Sequence, residues 1–334
     1  MRFGYSERCL AHDTGERHPE NPDRLRAIRR GLAKRHSVEY TDADPATKDE
    51  VAAVHDEAYV DELEAFVDDG GGSWDPDTVA SEGTWDAALS AAGLAQWAAR
   101  TALNGSNGRD TPFSIGRPPG HHAVRDDAMG FCFFNNAAVA AQTVLDDGTA
   151  DRVAIFDWDV HHGNGTQDIF YDRGDVLYAS IHEDGLYPDT GDIDETGNGE
   201  GENATVNLPL AAGAGDADYC YAIDEAIAPA LTRFDPDLVI VSAGFDAHRH
   251  DPISRMRVSS EGYALMTDQI RTAADEAGAA DAYVLEGGYG LDTLAEGVSM
   301  VHETYDGRTP VADDGEPDAK TESRVDELRS LLDL

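Results

Sequence analysis

The sequence predicts an α/β fold in which a parallel sheet carries helices on both faces. Three observations predict it. Short apolar runs alternate with alanine-rich stretches along most of the chain. The runs are near-continuous rather than alternating, as in strands buried on both faces. Four of them stop at segments rich in His, Asp and Gly, where an open α/β sheet places its ligands. A chain of 334 residues is long for one domain but within reach of a large α/β unit, and 41% hydrophobic residues supply its core.

The predicted strands, in order, are PFSIG (112–116), RVAIFDWDV (152–160), VLYASIH (176–182), DLVIVSAGFD (237–246) and AYVLEGGY (282–289). The predicted helices are 84–103, 135–146, 216–234 and 260–277. The loop 183–204 is polar, glycine-rich and long, and long loops in compact domains are often functional. Its glycines do not open a helix after a strand, so it is not read as a phosphate-binding loop. The chain turns polar near residue 306. The expected organisation is therefore a main domain over 1–306, followed by an acidic linker and short helix over 307–334. That helix, predicted over 322–334, places Val325, Leu328, Leu331 and Leu332 on one face that packs back on the domain. An oligomer contact is the alternative use of this face, and the sequence does not set an oligomeric state.

The net charge is −41, from 66 acidic and 25 basic residues. It argues against nucleic-acid binding through a basic footprint and against attraction to anionic lipid. Three of the basic residues are lysines: Lys34, Lys48 and Lys320. Acid-rich, lysine-poor composition is expected of a halophile, archaeal by this reading, because salt at about 1 M shortens the Debye length to about 3 Å and screens self-repulsion. Cys9, Cys132 and Cys220 form neither a disulfide framework nor a CxxC zinc motif. The sequence shows no signal-peptide pattern and no apolar run near eighteen residues, so a cytoplasmic protein that does not span a membrane is expected.

The strand ends carry the chemistry. Asp159 and His161 are two apart, so on an extended segment their side chains share a face and can hold one ion. Asp157 lies on the same face. A third ligand should come from another strand end, and Asp246 in SAGFDAH is the best candidate. Such a set with an open position suits Zn²⁺, with Fe²⁺ as the alternative. The one arginine of their strand, Arg152, stands at its opposite end, so ion-pair burial is a poor explanation for Asp157 and Asp159. The pair His121-His122 follows the rigid turn RPPG at the same rim. A hydrolase needs a base to activate water and an acid to protonate the leaving group. A histidine bonded to a carboxylate keeps its proton more easily than one bonded to an amide, and Asp157 and Asn164 offer one partner of each kind.

RPPGHHA, GFCFFNNAAVAA, DWDVHHGNGTQ, SAGFDAHRHDP and LEGGYG occur in this order, with HPENPDRL, VHDEAYV and DPDTVASEGTWDAALSAAG before them. Over roughly residues 1–305 the chain resembles the zinc-dependent histone deacetylase family. It resembles more closely its class II branch, with histone deacetylase-like amidohydrolases, acetylpolyamine amidohydrolases and acetoin-utilisation proteins. The resemblance implies the arginase/deacetylase fold, one α/β domain around an eight-stranded parallel sheet. It implies Zn²⁺ on Asp159, His161 and Asp246. It pairs His121 with Asp157 and His122 with Asn164, making His122 the general base and then acid, and His121 a positively biased electrostatic partner. It makes Tyr289 the donor to the developing oxyanion and gives His162 no catalytic role. It implies an acyl-lysine channel walled by Phe131 and Tyr187, with the Gly130 carbonyl accepting from the substrate amide. Tyr187 stands where Phe is usual, in a divergent loop. It also implies structural K⁺ at two places, one using Asp157 with backbone of Asp159, His161, Ser180 and Ile181, the other using backbone around Phe170, Arg173 and Val176.

The implied activity is removal of acetyl from acetyl-lysine in proteins, with release of acetate. An acetylated polyamine or another small acetylated amine is the alternative substrate. Polyamine-selective relatives can carry an acidic gatekeeper, and the nearest matching position, seven after Asp246, is Ile253. Two more distant readings are a dinuclear-metal ureohydrolase and a non-catalytic acyl-binding protein.

Overall fold

A computed structural model describes residues 1–105, 108–312 and 315–334; Asp313 and Asp314 of the predicted linker lie outside the described residues. Eight strands form its central sheet: β1 (Arg2–Gly4), β2 (Glu39–Thr41), β3 (Pro112–Ser114), β4 (Val153–Asp157), β5 (Val176–Glu183), β6 (Thr205–Leu210), β7 (Leu238–Ala243) and β8 (Ala280–Leu285). Their order across the sheet is β2-β1-β3-β8-β7-β4-β5-β6. All neighbours are parallel, so every strand delivers its carboxyl end to one rim. Gly72–Ser73 and Val79–Ala80 form a separate antiparallel ribbon.

The central strands are apolar throughout because both faces are covered. Along β4, Ala154 and Phe156 enter one core, while Val153 and Ile155 enter the other. The first core also takes residues of the helices Asp23–Leu32, Ser260–Ala277 and Leu291–Tyr305. The second takes Thr84–Leu103 and Asn136–Asp146, which pack on each other through alanines such as Ala88, Ala95, Ala137 and Ala141. Alanine lets these helices approach closely while favouring helix by propensity. Asn135 caps the second of them by accepting from Ala138 N–H.

The five predicted strands occupy the sheet centre; four are shorter than their apolar runs, and β5 runs one residue further. β4 ends at Asp157, so Trp158, Asp159, Val160 and His161 lie beyond it. Three strands of the central sheet, β1, β2 and β6, and the two of the ribbon are not among those predicted. The predicted helix 216–234 is a near-continuous helical stretch with a π-helical turn at Ile223–Ile227 and Pro229 just after it. Proline lacks the N–H of a regular helical bond. The C-terminal helix runs over Ala319–Leu332 and packs on β6, an edge strand. Its Val325, Leu328 and Leu332 enter the core as expected, but Leu331 is 47% exposed, which corrects its placement on that face. A step of three and then one of four keep Val325, Leu328 and Leu332 on one side, whereas a second step of three turns Leu331 away from it.

Candidate active site

Beyond β4 the chain turns by using its own carboxylates as acceptors. Asp157 Oδ1 accepts from Asp159 N–H at 3.0 Å, and Asp159 Oδ1 accepts from His161 N–H at 3.0 Å. These bonds, rather than strand pleating, place Asp159 and His161 side by side, which corrects the extended-strand reading. Two other strand ends lock on to them. Asp246, beyond β7, accepts from Val160 N–H through Oδ1 at 2.9 Å. Gly287, beyond β8, donates its N–H to Asp159 Oδ2 at 2.8 Å.

One ligand atom from each of Asp159, His161 and Asp246 lies within 4.8 Å of the others, and all three residues are buried. His161 Nδ1 is 3.0 Å from Asp159 Oδ1 and 3.3 Å from Asp246 Oδ2. Asp246 Oδ2 has no hydrogen-bond partner among the described residues. A buried carboxylate oxygen left without a partner is costly. Three carboxylates, Asp157, Asp159 and Asp246, are fully buried here. The donor set and the surplus of buried negative charge therefore fit a divalent cation.

Both histidines of RPPGHHA face this group. His121 Nδ1 meets Asp157 Oδ2 at 2.9 Å, and its Nε2 is 3.8 Å from Asp159 Oδ1. Burial works against its charge, but Asp159 and Asp157 outweigh burial and lift it to about 10. His122 Nδ1 meets Asn164 Oδ1 at 2.8 Å. The Asn164 amide nitrogen lies 3.4 Å from both the His122 carbonyl and Met129 Sδ, which fixes the oxygen toward the ring. Burial, then the neighbouring His121 and His161, push His122 well below its ordinary value. An amide oxygen can only accept, so Nδ1 carries the proton and Nε2 carries the free lone pair. Adjacent residues are thus separated into a cationic and a neutral imidazole. His162 belongs elsewhere, bonded to Thr190 Oγ1 at 2.8 Å and Gln167 Oε1 at 3.0 Å.

Tyr289 follows β8 and is half-buried. Its N–H donates to Asp251 Oδ2 at 2.7 Å, and its ring packs edge-on against Phe131 with centroids 5.8 Å apart. Burial holds its phenol well above its ordinary value, so the hydroxyl stays a donor. Tyr187 packs edge-on against His122 at 5.1 Å. Gly130 lies between these aromatics, at φ +55, where an added Cβ would run into the His122 ring and reach Tyr187 Cε1 at 3.0 Å. Phe131, Gly130 and Tyr187 thus come together at the histidine pair. Of the residues read as a K⁺ cradle, Asp157 and Ser180 are register partners on β4 and β5, with Ile181 next along β5. Phe170 and Arg173 close a turn, Arg173 N–H to Phe170 O at 3.0 Å, just before β5 opens at Val176.

Several residues about the site carried no role in the sequence reading. Glu286 is fully buried, and its Oε2 accepts from Gly120 N–H at 2.7 Å and His121 N–H at 3.2 Å. Burial pushes its carboxyl up to about 7 against the pull of His121. Arg117 and Arg24 share the buried carboxylate of Glu20, Arg117 at 2.6 Å and Arg24 at 3.2 Å. Arg24 also donates to the carbonyls of Gly288, at 2.8 Å, and Glu286. The signal available in the sequence was a charged residue inside each motif, HPENPDRL, RPPG and LEGGYG, with no solvent-facing reason to be there.

A family model described as "Histone deacetylase domain" matches residues 18–305. The chain is 37% identical over 336 residues to the histone deacetylase-like amidohydrolase of Pseudomonas aeruginosa, covering 93% of this chain and 87% of that protein. It is 44% identical over 242 residues to acetylpolyamine amidohydrolase 2 of the same species, covering 70% and 67%. The crystal structure of the HDA15 HD domain matches at a TM-score of 0.91 and 38% identity, over 99% of this chain and 93% of that one. No helix among the described residues is long and apolar enough to cross a membrane. By sequence along nearly its whole length and by fold, the chain belongs to the histone deacetylase family and is a hydrolase of amide C–N bonds.

Proposed function

We propose that this protein is a Zn²⁺-dependent deacetylase that removes acetyl from acetyl-lysine in proteins. The observation that supports it best is the buried Asp159/His161/Asp246 group facing two histidines of unlike charge, His121 on Asp157 and His122 on Asn164. A zinc ion held by those three residues supplies Lewis acidity to the acyl oxygen and to water. His122 Nε2 takes a proton from the attacking water, since its Nδ1 is committed to Asn164. The same nitrogen returns the proton to the departing amine. His121, held as a cation by Asp157, stabilises the negative charge that gathers at the acyl carbon's oxygen, and the Tyr289 hydroxyl donates to that oxygen. Phe131 and Tyr187 exclude water from the methylene chain of the substrate, and the Gly130 carbonyl accepts from its amide. Structural K⁺ would be held at two places, one by Asp157 with backbone of Asp159, His161, Ser180 and Ile181, the other by backbone around Phe170, Arg173 and Val176.

One observation favours the second substrate class. Trp74 Nε1–H donates to Asp127 Oδ1 at 2.7 Å, and Asp77, Asp75 and Asp127 all act on the Tyr187 phenol, after burial, to raise it. Carboxylates whose field reaches a channel wall favour a cationic substrate such as an acetylated polyamine. A relative of this chain bears the name acetylpolyamine amidohydrolase. The test is turnover in high salt of an acetyl-lysine peptide against acetylspermidine, each with and without a chelator. Chelator-sensitive peptide turnover is the expected result. Hydrolysis of acetylspermidine alone overturns the first substrate in favour of the second, and turnover unaffected by chelator overturns the metal.

A further inference from the structure

The two histidines stand on a loop with no regular secondary structure of its own. Gly120 O accepts from Ala123 N–H at 3.0 Å, closing a tight turn that carries His121 and His122 at its corner. The N–H groups of Gly120 and His121 point inward, where water cannot satisfy them. Both go to one oxygen, Glu286 Oε2, at 2.7 and 3.2 Å. The other oxygen, Oε1, lies 3.4 Å from Ser242 Oγ on β7. Glu286 is 0% exposed and makes no ion pair with an arginine, lysine or histidine among the described residues. A buried carboxylate with no cation on it is expensive unless its acceptor capacity is used. Its own backbone is also pinned, since Arg24 donates to its carbonyl. Next to it Gly287 N–H holds Asp159, and Tyr289 follows two residues later.

We infer that Glu286 is a positioning residue for the reaction, fixing the His121-His122 turn relative to Asp159 and Tyr289 through an acceptor oxygen. It touches no substrate. It ties the base-bearing loop after β3 to the Tyr-bearing loop after β8, so that the two move as one body. What the turn uses is an oxygen at one place, not a negative charge. This inference rests on the deacetylase reading for its kinetic arm and stands apart from it in its exchange arm.

The test uses the full chain with Glu286→Gln, Glu286→Asp and Glu286→Ala. Gln keeps an acceptor oxygen at the same reach without the charge. Asp keeps the charge but is one methylene short. The first readout is hydrogen exchange at the Gly120 and His121 amides. Glu286→Gln should keep their protection, whereas Asp and Ala should exchange at least about tenfold faster. The second readout is steady-state kinetics on whichever acetylated amine the wild type hydrolyses. Glu286→Gln should retain most of kcat. Asp and Ala should lose about 10- to 100-fold in kcat with KM within about threefold, because small misplacements of a catalytic group cost that much. If Glu286→Ala fails to fold, the order of Gln above Asp still decides. Wild-type exchange and kcat in Glu286→Asp, or a Gln variant as impaired as Asp, overturns the inference. If the wild type hydrolyses no acetylated amine, the deacetylase reading falls, and the exchange order alone upholds or overturns the role of Glu286.

Discussion

Replacing Tyr289 by Phe isolates one hydroxyl. The ring keeps its surroundings: the Arg24 guanidinium lies 5.0 Å from its centroid and the Phe131 ring 5.8 Å away, edge-on at 82°. The backbone keeps its anchors too, since Asp251 Oδ2 accepts from the N–H of residues 289 and 290 at 2.7 and 2.9 Å. None of these contacts uses the phenol oxygen, so the melting temperature should move by no more than about 2 °C. What is lost is a donor whose proton is secure, because burial holds the phenol well above its ordinary value. Removal of one such donor to a developing oxyanion costs about 10²–10³ in kcat, or about 2.7–4 kcal/mol. The interaction strengthens only as charge develops, so the loss should fall on kcat with KM within about threefold. The assay is initial-rate kinetics at saturating substrate, on protein whose metal content is matched to the wild type. A Tyr289→Phe enzyme within about threefold of wild-type kcat would show that this hydroxyl does not serve the reaction.

Three further outcomes are expected. Asp281, buried at the start of β8 with Thr111 Oγ1 at 3.3 Å and the Tyr305 hydroxyl on its carboxylate, is raised by burial from 3.8 to about 7. The folded chain then holds a proton that the unfolded chain releases, so this stabilisation is full below about pH 4 and lost as pH rises to about 7, on the order of 4 kcal/mol; Asp281→Asn should flatten that fall in urea midpoints, and an unchanged slope would acquit Asp281. Gly287→Ala puts a Cβ at 2.5 Å from Asp159 Oδ2 and closer still to Asp246 Oδ2, so metal affinity should drop about 10- to 100-fold by competition with a chromophoric chelator. With a net charge of −41, the melting temperature should climb steadily as KCl goes from about 0.1 M to about 2 M; a flat response would remove salt adaptation as the reason for the acid.

How much of this was legible depended on whether a residue's partner was a pattern or a distance. The strands β4, β5, β7 and β8 announced themselves because burial on both faces makes an unbroken apolar run. β1 and β2 are three residues each, too short for any period to show. β6 contains Asn207 and Pro209, which weaken a strand signal, and an edge strand tolerates proline. Asp159, His161, Asp246 and the His121-His122 pair stood out because charge next to an apolar run demands a reason. Glu286 had the same mark but no visible partner, since it serves backbone N–H groups 165 and 166 residues earlier in the chain. The buried Glu20 was hidden in part for a different reason: Arg24 lies four residues on, but Arg117, which binds it more closely, lies 97 residues away. Side chains that bond to backbone leave no complementary residue for a reader of sequence to find.

That same habit explains how one rim can bury so many carboxylates. Asp157 Oδ1, Asp159 Oδ1 and Oδ2, Asp246 Oδ1 and Glu286 Oε2 each accept from a backbone N–H. Amide dipoles fixed in a buried site offset much of the cost of burying these oxygens, and they do so without neutralising them. The approach has to be close, which is why Gly244 and Gly287 lie against Asp159, where an added Cβ would strike its carboxylate. Two of these bonds shape 157–163 from within, and the other three cross between the strand-end loops 157–163, 244–251, 286–290 and 117–123. The reacting groups therefore keep their mutual spacing only while all four loops are seated. Backbone dipoles leave the formal charge in place, however. Asp157 is answered by His121, while Asp159 and Asp246 share His161 and Asp246 Oδ2 has no hydrogen-bond partner among the described residues. The protein has satisfied the geometry of its buried carboxylates almost completely and their charge only in part, which is the condition a cation site must meet before its ion arrives.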